Sequence, residues 1–286
     1  MRPVFALALF LCTLPAMALD LNALWDYRQP DVSEQRFRAA LASATGDDAL
    51  ILQTQIARTY GLRKNFSKAR EVLTAIAAQV ATAGAEARIR YALEMGRSYA
   101  SAAHTPEQLT PEAKQLARQA YDSALTQAKA AALDGLAIDA IHMFAFIDTA
   151  PADQLKWAQE ALAVVLASNQ PDARRWEASI RNNIGMALHK MGRFPEALDQ
   201  FQQAVLLREK SGNAQNIRVA HWMVAWTLRA LHRTDEALAI QTRLERENEA
   251  AGQPDKYVFE ELEMLYRAKG DSARAQQYGA RRQALP

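Results

Sequence analysis

The clearest pattern in the chain lies at residues 183–204, which read NIGMALHKMGRFPEALDQFQQA. Ile184 and Leu188 are four residues apart, so in a helix they lie on the same face. Gly192 suits a helix end, and Pro195 suits the first turn of a second helix, where its missing N–H costs no hydrogen bond. These residues therefore predict two helices joined by a tight turn.

The second of these helices carries a stripe of residues that faces the first. Ala197, Phe201 and Ala204 lie on one side of it, and Gly185 lies on the first helix opposite them. Small residues at 185 and 197 let the two helix axes approach closely, while the larger side chains fill the space between them. We expect the two helices to pack as a close pair.

The same scheme recurs along most of the chain. Equivalent positions of the second-helix stripe fall at residues 33, 69, 117, 154, 197, 237 and 275. The longest interval, from 69 to 117, contains two Thr-Pro-Glu helix starts, so we expect an inserted loop at residues 101–110. His232 replaces a turn residue in one copy. The chain is thus predicted to be one array of repeated helix pairs.

On these residues the chain resembles the tetratricopeptide repeat family, in particular its longer-period members that resemble kinesin light chains. The resemblance covers residues 31–282 and implies an all-α fold, a right-handed superhelical solenoid of antiparallel helix pairs. We expect about six pairs plus a leading helix in a single domain at residues 31–286. Residues 19–30 are then an N-terminal extension.

The overall composition agrees with such an array. The 286 residues include only 11 glycines and 10 prolines, which favours helices joined by short turns. The formal net charge is +2. A nucleic-acid partner needs basic residues gathered on one face, so this near-neutral balance gives no reason to expect one.

The first 18 residues have the layout of a secretory signal peptide. Arg2 precedes an apolar stretch at 4–14, and the sequence Ala-Met-Ala at 16–18 supplies the small residues that signal peptidase requires. The apolar stretch is too short to span a membrane. We therefore expect residues 1–18 to be cleaved, and the mature chain, with no cysteine and no membrane span, to be periplasmic.

The sequence contains no set of residues typical of an enzyme. Its five histidines are scattered singly, with no His-x-x-x-His pair and no nearby cysteine to complete a zinc site. There is no glycine-rich phosphate loop and no Gly-x-Ser-x-Gly elbow. We therefore expect no catalytic residue, no metal and no cofactor. A small-molecule or enzymatic pocket around Asp139, His142 and His189 stays open as an alternative.

In the family that the chain resembles, the first helices of the pairs line a concave groove that grips a segment of another protein. Transferred to this chain, that arrangement implies a basic N-terminal half of the groove and an apolar, aromatic and methionine-rich C-terminal half. The residues expected to bind the partner are Arg58, Arg90, Arg97, Asn182, Asn183, Met186, Trp222, Trp226, Arg229 and Met264.

Each kind of side chain in this set has a binding role and a plainer alternative. The amide of Asn183 can pair with a main chain of any sequence, because it donates and accepts at once. Trp222 and Trp226 are four residues apart, so both rings can line one pocket or pack between repeats. The arginines can hold a carboxylate or be plain solvated charges. The methionines suit an adaptable wall or the core.

The sequence therefore predicts an exported, non-catalytic adaptor or scaffold whose partner is a protein or peptide. A second hypothesis is structural. In it the array self-associates through its terminal helix pair at 256–282 as a subunit of an envelope complex, so a homo-oligomer stays open.

Overall fold

The structure, a computed structural model, describes residues 19–285, and these residues form helices joined by turns and loops. The α-helices are α1 (Leu21–Leu24), α2 (Pro30–Leu41), α3 (Gly46–Leu62), α4 (Phe66–Val80), α5 (Ala85–Tyr99), α6 (Pro111–Ala130), α7 (Asp134–Phe144), α8 (Pro151–Ala167), α9 (Pro171–Arg174), α10 (Glu177–Lys190), α11 (Phe194–Ser211), α12 (Ala214–Ala230), α13 (Thr234–Ala250), α14 (Lys256–Ala268) and α15 (Ser272–Gln283). The prediction of an all-α fold is confirmed. The predicted signal peptide, residues 1–18, lies outside the described residues.

Neighbouring helices pack as pairs, and the pairs stack into a solenoid. The pairs are α3 with α4, α5 with α6, α7 with α8, α10 with α11, α12 with α13 and α14 with α15. The leading helix α2 packs against α3, and the short α9 lies between the third and fourth pairs. First helices of successive pairs also touch, α3 with α5, α5 with α7 and α12 with α14. Side chains link the others, since Asn183 on α10 lies beside His142 on α7 and His189 on α10 stacks on Trp226 on α12. We call this row of first helices the concave face, the side that lines the groove in solenoids of this type.

Tight turns within the pairs place one residue in the left-handed backbone conformation. Gly192 does so with φ of 74°, and His232 takes the equivalent position with φ of 59°. The next N–H then reaches back over the helix end, as Arg193 donates to the Leu188 carbonyl at 2.9 Å and Arg233 to the Leu228 carbonyl at 2.9 Å. The longest connection within a pair, between α5 and α6, contains a 3₁₀ turn at Pro106–Gln108.

Buried aromatic rings fill the space opposite small residues within the pairs. Tyr121 on α6 and Phe201 on α11 are fully buried, and each ring packs directly on a glycine of the preceding helix, Gly96 and Gly185 respectively. The Tyr121 hydroxyl also donates to the Ala100 carbonyl at 2.6 Å, so its polar end is satisfied. These contacts fix the distance between the two helices of a pair.

The last helix gives the solenoid a polar end. Its outward side exposes Ser272, Arg274, Gln276 and Gln277, while Ala275 and Gly279 are buried against α14. Repeat arrays need such a capping surface because their final unit has no neighbour to cover it. Among the helices of the described part of the chain, none has the length and apolar character that a membrane span requires.

Candidate functional site

The ten candidate residues lie on the first helices that form the concave face. Arg58 is on α3, Arg90 and Arg97 are on α5, and the others are on α10, α12 and α14. All ten are half-buried: packing restrains each side chain, and part of each remains accessible. The set comprises Arg58, Arg90, Arg97, Asn182, Asn183, Met186, Trp222, Trp226, Arg229 and Met264.

Three cavities along the concave face bring some of these residues together. A cavity of about 900 Å³ contains Arg58 and Arg90, and a smaller one of about 240 Å³ contains Arg58 and Arg97. A third, of about 760 Å³, lies between α12 and α14 and contains Trp222. The other six candidate residues line none of these three cavities. The site is therefore divided, with Arg58, Arg90 and Arg97 at one end and Trp222 at the other.

The arginines at the N-terminal end are neutralised by a buried ion-pair network. Arg97 pairs with Glu94 on its own helix and with Asp139 on α7, and Arg58 reaches Glu94 at 3.5 Å. Only 11% of the Arg97 side chain and 3% of the Glu94 side chain are exposed. Arg90 pairs with Glu86 at 2.8 Å. The predicted basic character of this half is therefore wrong, because acidic side chains from α5 and α7 balance its arginines.

The network also shifts the ionisation of its members. Burial acts to raise the pKa of Asp139, but the positive charges of Arg97 and Arg58 outweigh it and lower that pKa below its usual range. Burial likewise opposes the charged form of Arg97, yet the attraction of Asp139 and Glu94 raises its pKa. His142 lies beside them, and burial lowers its pKa although Asp139 acts in the opposite direction. The network is therefore charged and internally compensated, while His142 favours its neutral form.

A row of four aromatic rings occupies the C-terminal half of the concave face. We call it the aromatic ladder, and its members are His189, Trp226, Trp222 and Tyr257. Trp226 stacks on His189 with ring centroids 3.3 Å apart, and Trp222 stacks on Trp226 at 5.8 Å. Tyr257 on α14 meets Trp222 edge-on at 6.4 Å. Burial, together with the charge of Arg229, lowers the pKa of His189 to about 4. The two tryptophans therefore share a stack, and Trp222 forms the wall of the cavity while Trp226 packs deeper within the ladder.

Other candidate side chains are already engaged within the chain. Arg229 makes two hydrogen bonds to Glu261, at 2.7 and 2.8 Å. The side-chain amide of Asn183 lies 3.4 Å from Nδ1 of His142. Met186 packs against the central hydrophobic core. Arg229 thus links α12 to α14 through its hydrogen bonds to Glu261. Asn183 has only the long hydrogen bond to His142.

The N-terminal extension contributes a part of the site that was not predicted from the sequence. Trp25 and Tyr27 line the 900 Å³ cavity together with Gln55, Arg58 and Arg90. The indole N–H of Trp25 donates to the side-chain oxygen of Gln55 at 3.1 Å. Two aromatic residues two positions apart, outside any repeat, were the available signal. Nothing in the repeat pattern indicated where they would lie.

No metal centre accompanies these cavities. Across residues 19–285, no group of three or more histidine, cysteine, aspartate or glutamate side chains is arranged to hold a metal ion. His142 lines the 240 Å³ cavity beside Asp139, whereas His189 belongs to the aromatic ladder. The structure thus separates His189 from the other two residues of the alternative small-molecule pocket.

Comparison with known proteins identifies the type of repeat. Residues 176–246, which cover most of the segment from α10 to α13, match the family model described as tetratricopeptide repeat. A comparison with curated protein sequences finds no match.

Solved structures share the fold at low sequence identity. A signal transduction ATPase of Pyrococcus horikoshii with a tetratricopeptide repeat sensor aligns with a TM-score of 0.67 and 12% identity over 89% of this chain. This chain spans only 38% of that protein's length. A putative kinesin light chain of Podosopora anserina with TPR-like repeats has a TM-score of 0.53 and 17% identity, covering 74% of this chain and all of that one.

A third structure is a Rap protein solved in complex with Competence and Sporulation Factor. It has a TM-score of 0.55 and 13% identity, and the alignment covers 91% of this chain and 72% of the Rap protein. At these identities the likeness establishes the fold. The resemblance to longer-period repeats is confirmed, and the chain has the fold of a tetratricopeptide-type helical solenoid.

Proposed function

We propose that the chain is an exported, non-catalytic adaptor that binds a segment of a partner protein along its concave groove. The observation that carries this proposal is the half-buried state of all ten groove residues. Side chains that are restrained by packing and still accessible make good interface anchors, because little rotamer entropy is left to lose on binding. A Rap protein of this fold, solved with a factor bound, supports the same class of function.

The C-terminal half of the groove offers the better anchoring surface. Its cavity of about 760 Å³ is lined by Trp222, Met223 and Val258, with Tyr257 exposed at the edge. Arg218 and Asp255 add charge to the lining. Apolar walls with a few polar groups suit one or two apolar side chains of a bound segment. The amide of Asn183 would hold the backbone of that segment farther along the groove.

A double substitution tests this proposal. Asn183→Ala with Trp222→Ala should abolish capture of the partner from an envelope extract, because it removes a backbone contact and an aromatic anchor together. Leu206→Ala is the matched control, since Leu206 lies on the second helix α11, is 53% exposed and should leave capture unchanged. Circular dichroism and thermal unfolding establish that both variants are folded. If every captured protein survives the double substitution, the groove is the wrong surface.

Export has its own test. Mass spectrometry of the protein recovered from cells should give a chain that begins at Leu19, as expected for cleavage after the Ala-Met-Ala sequence at 16–18. A recovered chain that retains residues 1–18 would contradict the proposed cleavage, and with it this basis for a periplasmic location.

A further inference from the structure

The N-terminal segment 19–28 lies within the concave face, with Trp25 seated on α3. The Trp25 ring stacks on Tyr27, with centroids 4.5 Å apart and planes at 4°, and meets Phe37 edge-on at 4.9 Å. The Arg58 guanidinium lies 5.7 Å from the Trp25 centroid and 5.6 Å from the Tyr27 centroid. With the hydrogen bond from the indole to Gln55, this gives Trp25 an aromatic, a cationic and an amide contact.

The same segment extends across the groove to the later repeats. The side-chain oxygen of Asn22 accepts a hydrogen bond from Arg175, just after α9, at 3.5 Å. Arg28 donates to the side-chain oxygen of Gln215 on α12. Residues up to Tyr27 line the 900 Å³ cavity, and Arg28 lines the 760 Å³ cavity. The segment therefore contributes to the lining of both of the largest cavities of the concave face.

The features that hold this segment are those of a reversible contact. Its only helix, α1, has four residues, which is far too short to be stable without tertiary support. Asn22, Ala23, Tyr27 and Arg28 are exposed, so its contacts to the far wall are made by solvent-facing side chains. Its apolar side chains, Leu19, Leu21, Leu24 and Trp25, pack on core residues that include Phe37 and Leu52, but each of them is only partly buried. Segments that bury little of their surface are among those that open most readily in native proteins.

Asp26 is held in place by two hydrogen bonds, and it marks the end of the part of the segment that can detach. The backbone N–H of Asp26 donates to the Ser33 hydroxyl at 2.7 Å, and that hydroxyl donates to the Asp26 carbonyl at 2.9 Å. Ser33 is fully buried on α2. These two hydrogen bonds tie Asp26 to the leading helix, so residues 19–25 can leave the groove while Asp26 stays in place.

We propose that residues 19–28 are a built-in occupant of the groove, and that a partner segment displaces residues 19–25 by placing its own aromatic side chain where Trp25 lies. This inference rests on the proposed function. It adds that the N-terminal segment keeps the groove closed and that an aromatic side chain of the partner opens it. The partner's aromatic ring would receive the contacts that Gln55 and Arg58 now make to Trp25. Displacement would also open the 900 Å³ cavity, which residues 19–25 help to line.

The chain's own peptide is the probe for this proposal. A fluorescently labelled peptide of residues 19–28, LDLNALWDYR, should bind the full chain carrying Trp25→Ala at least tenfold more tightly than it binds the wild-type chain. In the wild type the tethered segment competes at an effective concentration in the millimolar range, whereas the substituted segment competes poorly. A control peptide with the Trp25→Ala change should bind neither chain. Adding Gln55→Ala and Arg58→Ala to the variant should remove binding of the original peptide.

A second variant guards against a folding artefact, because Trp25 also touches the core residue Phe37. Asn22→Ala with Arg28→Ala removes only the exposed contacts to the far wall, and it should increase peptide binding about two- to fivefold over the wild type, as expected for loss of weak contacts. Equal peptide binding to the wild type and both variants, or no binding to either variant, would overturn the proposal. The partner-capture experiment uses Asn183 and Trp222, so its failure is a separate result.

Discussion

Gly185 on α10 packs directly against the ring of Phe201 on α11, so closely that an added Cβ would lie 2.6 Å from a ring carbon. The pair Gly96 and Tyr121 repeats the arrangement between α5 and α6, where an added Cβ would lie 2.3 Å from the ring. Such separations are shorter than any van der Waals contact. In both pairs, the glycine is what allows a large aromatic ring to sit between the two helices.

Substituting Gly185 should therefore destabilise the chain although it improves helix propensity. Gly185→Ala forces the buried Phe201 ring to move, which typically costs about 1–3 kcal/mol in a packed core. Alanine recovers up to about 1 kcal/mol of helix propensity, so we expect a net loss of about 1–2 kcal/mol in the free energy of unfolding. Urea denaturation followed by circular dichroism measures it.

Gly61 provides the matched control for this prediction. It lies in α3, and an added Cβ would meet no atom within 4 Å. Gly61→Ala should thus keep or raise the stability, by up to about 1 kcal/mol. Equal effects of the two substitutions would mean that Phe201 does not pack on Gly185 as described.

The helix pairs could be predicted from the sequence because their signals are local. The spacing of Ile184 and Leu188, the turn at Gly192 and the stripe at Ala197 and Phe201 all lie within a few turns of one another. Local signals of this kind fix helices and tight turns without reference to the rest of the chain. The turn position of His232 followed from the same repeat pattern.

The candidate site was predicted less completely, because its contacts depend on distant parts of the chain. Arg97 meets Asp139 from another repeat, and Trp25 meets Gln55 thirty residues away. The repeat pattern places Arg97 on the concave face, but its pairing with the Asp139 carboxylate follows only from the way α5 stacks against α7. The position of the N-terminal segment has no counterpart in the repeat pattern at all.

The buried network gives a second prediction, on stability. Arg97→Met removes the charge that compensates Asp139 and shares Glu94 with Arg58. A buried ion left without its partner typically costs about 3–5 kcal/mol, so we expect a loss of that size in the free energy of unfolding. Chemical denaturation at neutral pH measures the loss.

Arg193→Met is the control for the network. Arg193 also forms an ion pair, with Glu196, but both side chains are largely exposed, at 41% and 57%. Exposed pairs are screened by solvent, so this substitution should change stability little. A small effect at Arg97, comparable to that at Arg193, would show that the network is hydrated rather than buried.

A third prediction concerns self-association. Two tyrosines of the terminal pair face inward: Tyr266 and Tyr278 stack with centroids 5.6 Å apart, and the Tyr278 hydroxyl donates to Glu245 at 2.9 Å. The third, Tyr257, is exposed at the edge of the 760 Å³ cavity. The exposed side of α15 carries polar residues such as Arg274 and Gln277. We therefore expect sedimentation velocity to give a monomer at all concentrations tested. A dimer whose formation Arg274→Glu weakens would instead favour the structural-subunit hypothesis.

The last prediction follows from the pKa of His189. Burial against Trp226, with the nearby charge of Arg229, lowers this pKa to about 4, whereas an imidazole in the unfolded chain titrates near 6.5. Between these values the unfolded state binds more protons than the folded state, so His189 contributes stability above pH 6.5 that is lost progressively as the pH falls towards 4. His189→Phe keeps a ring on Trp226 and cannot titrate, so its free energy of unfolding should fall less steeply over that interval than that of the wild type. The other histidines are common to both proteins and cancel in the comparison. An NMR titration of the His189 ring gives the direct measurement, and a midpoint near 6.5 would show that the ring is solvated rather than held within the aromatic ladder.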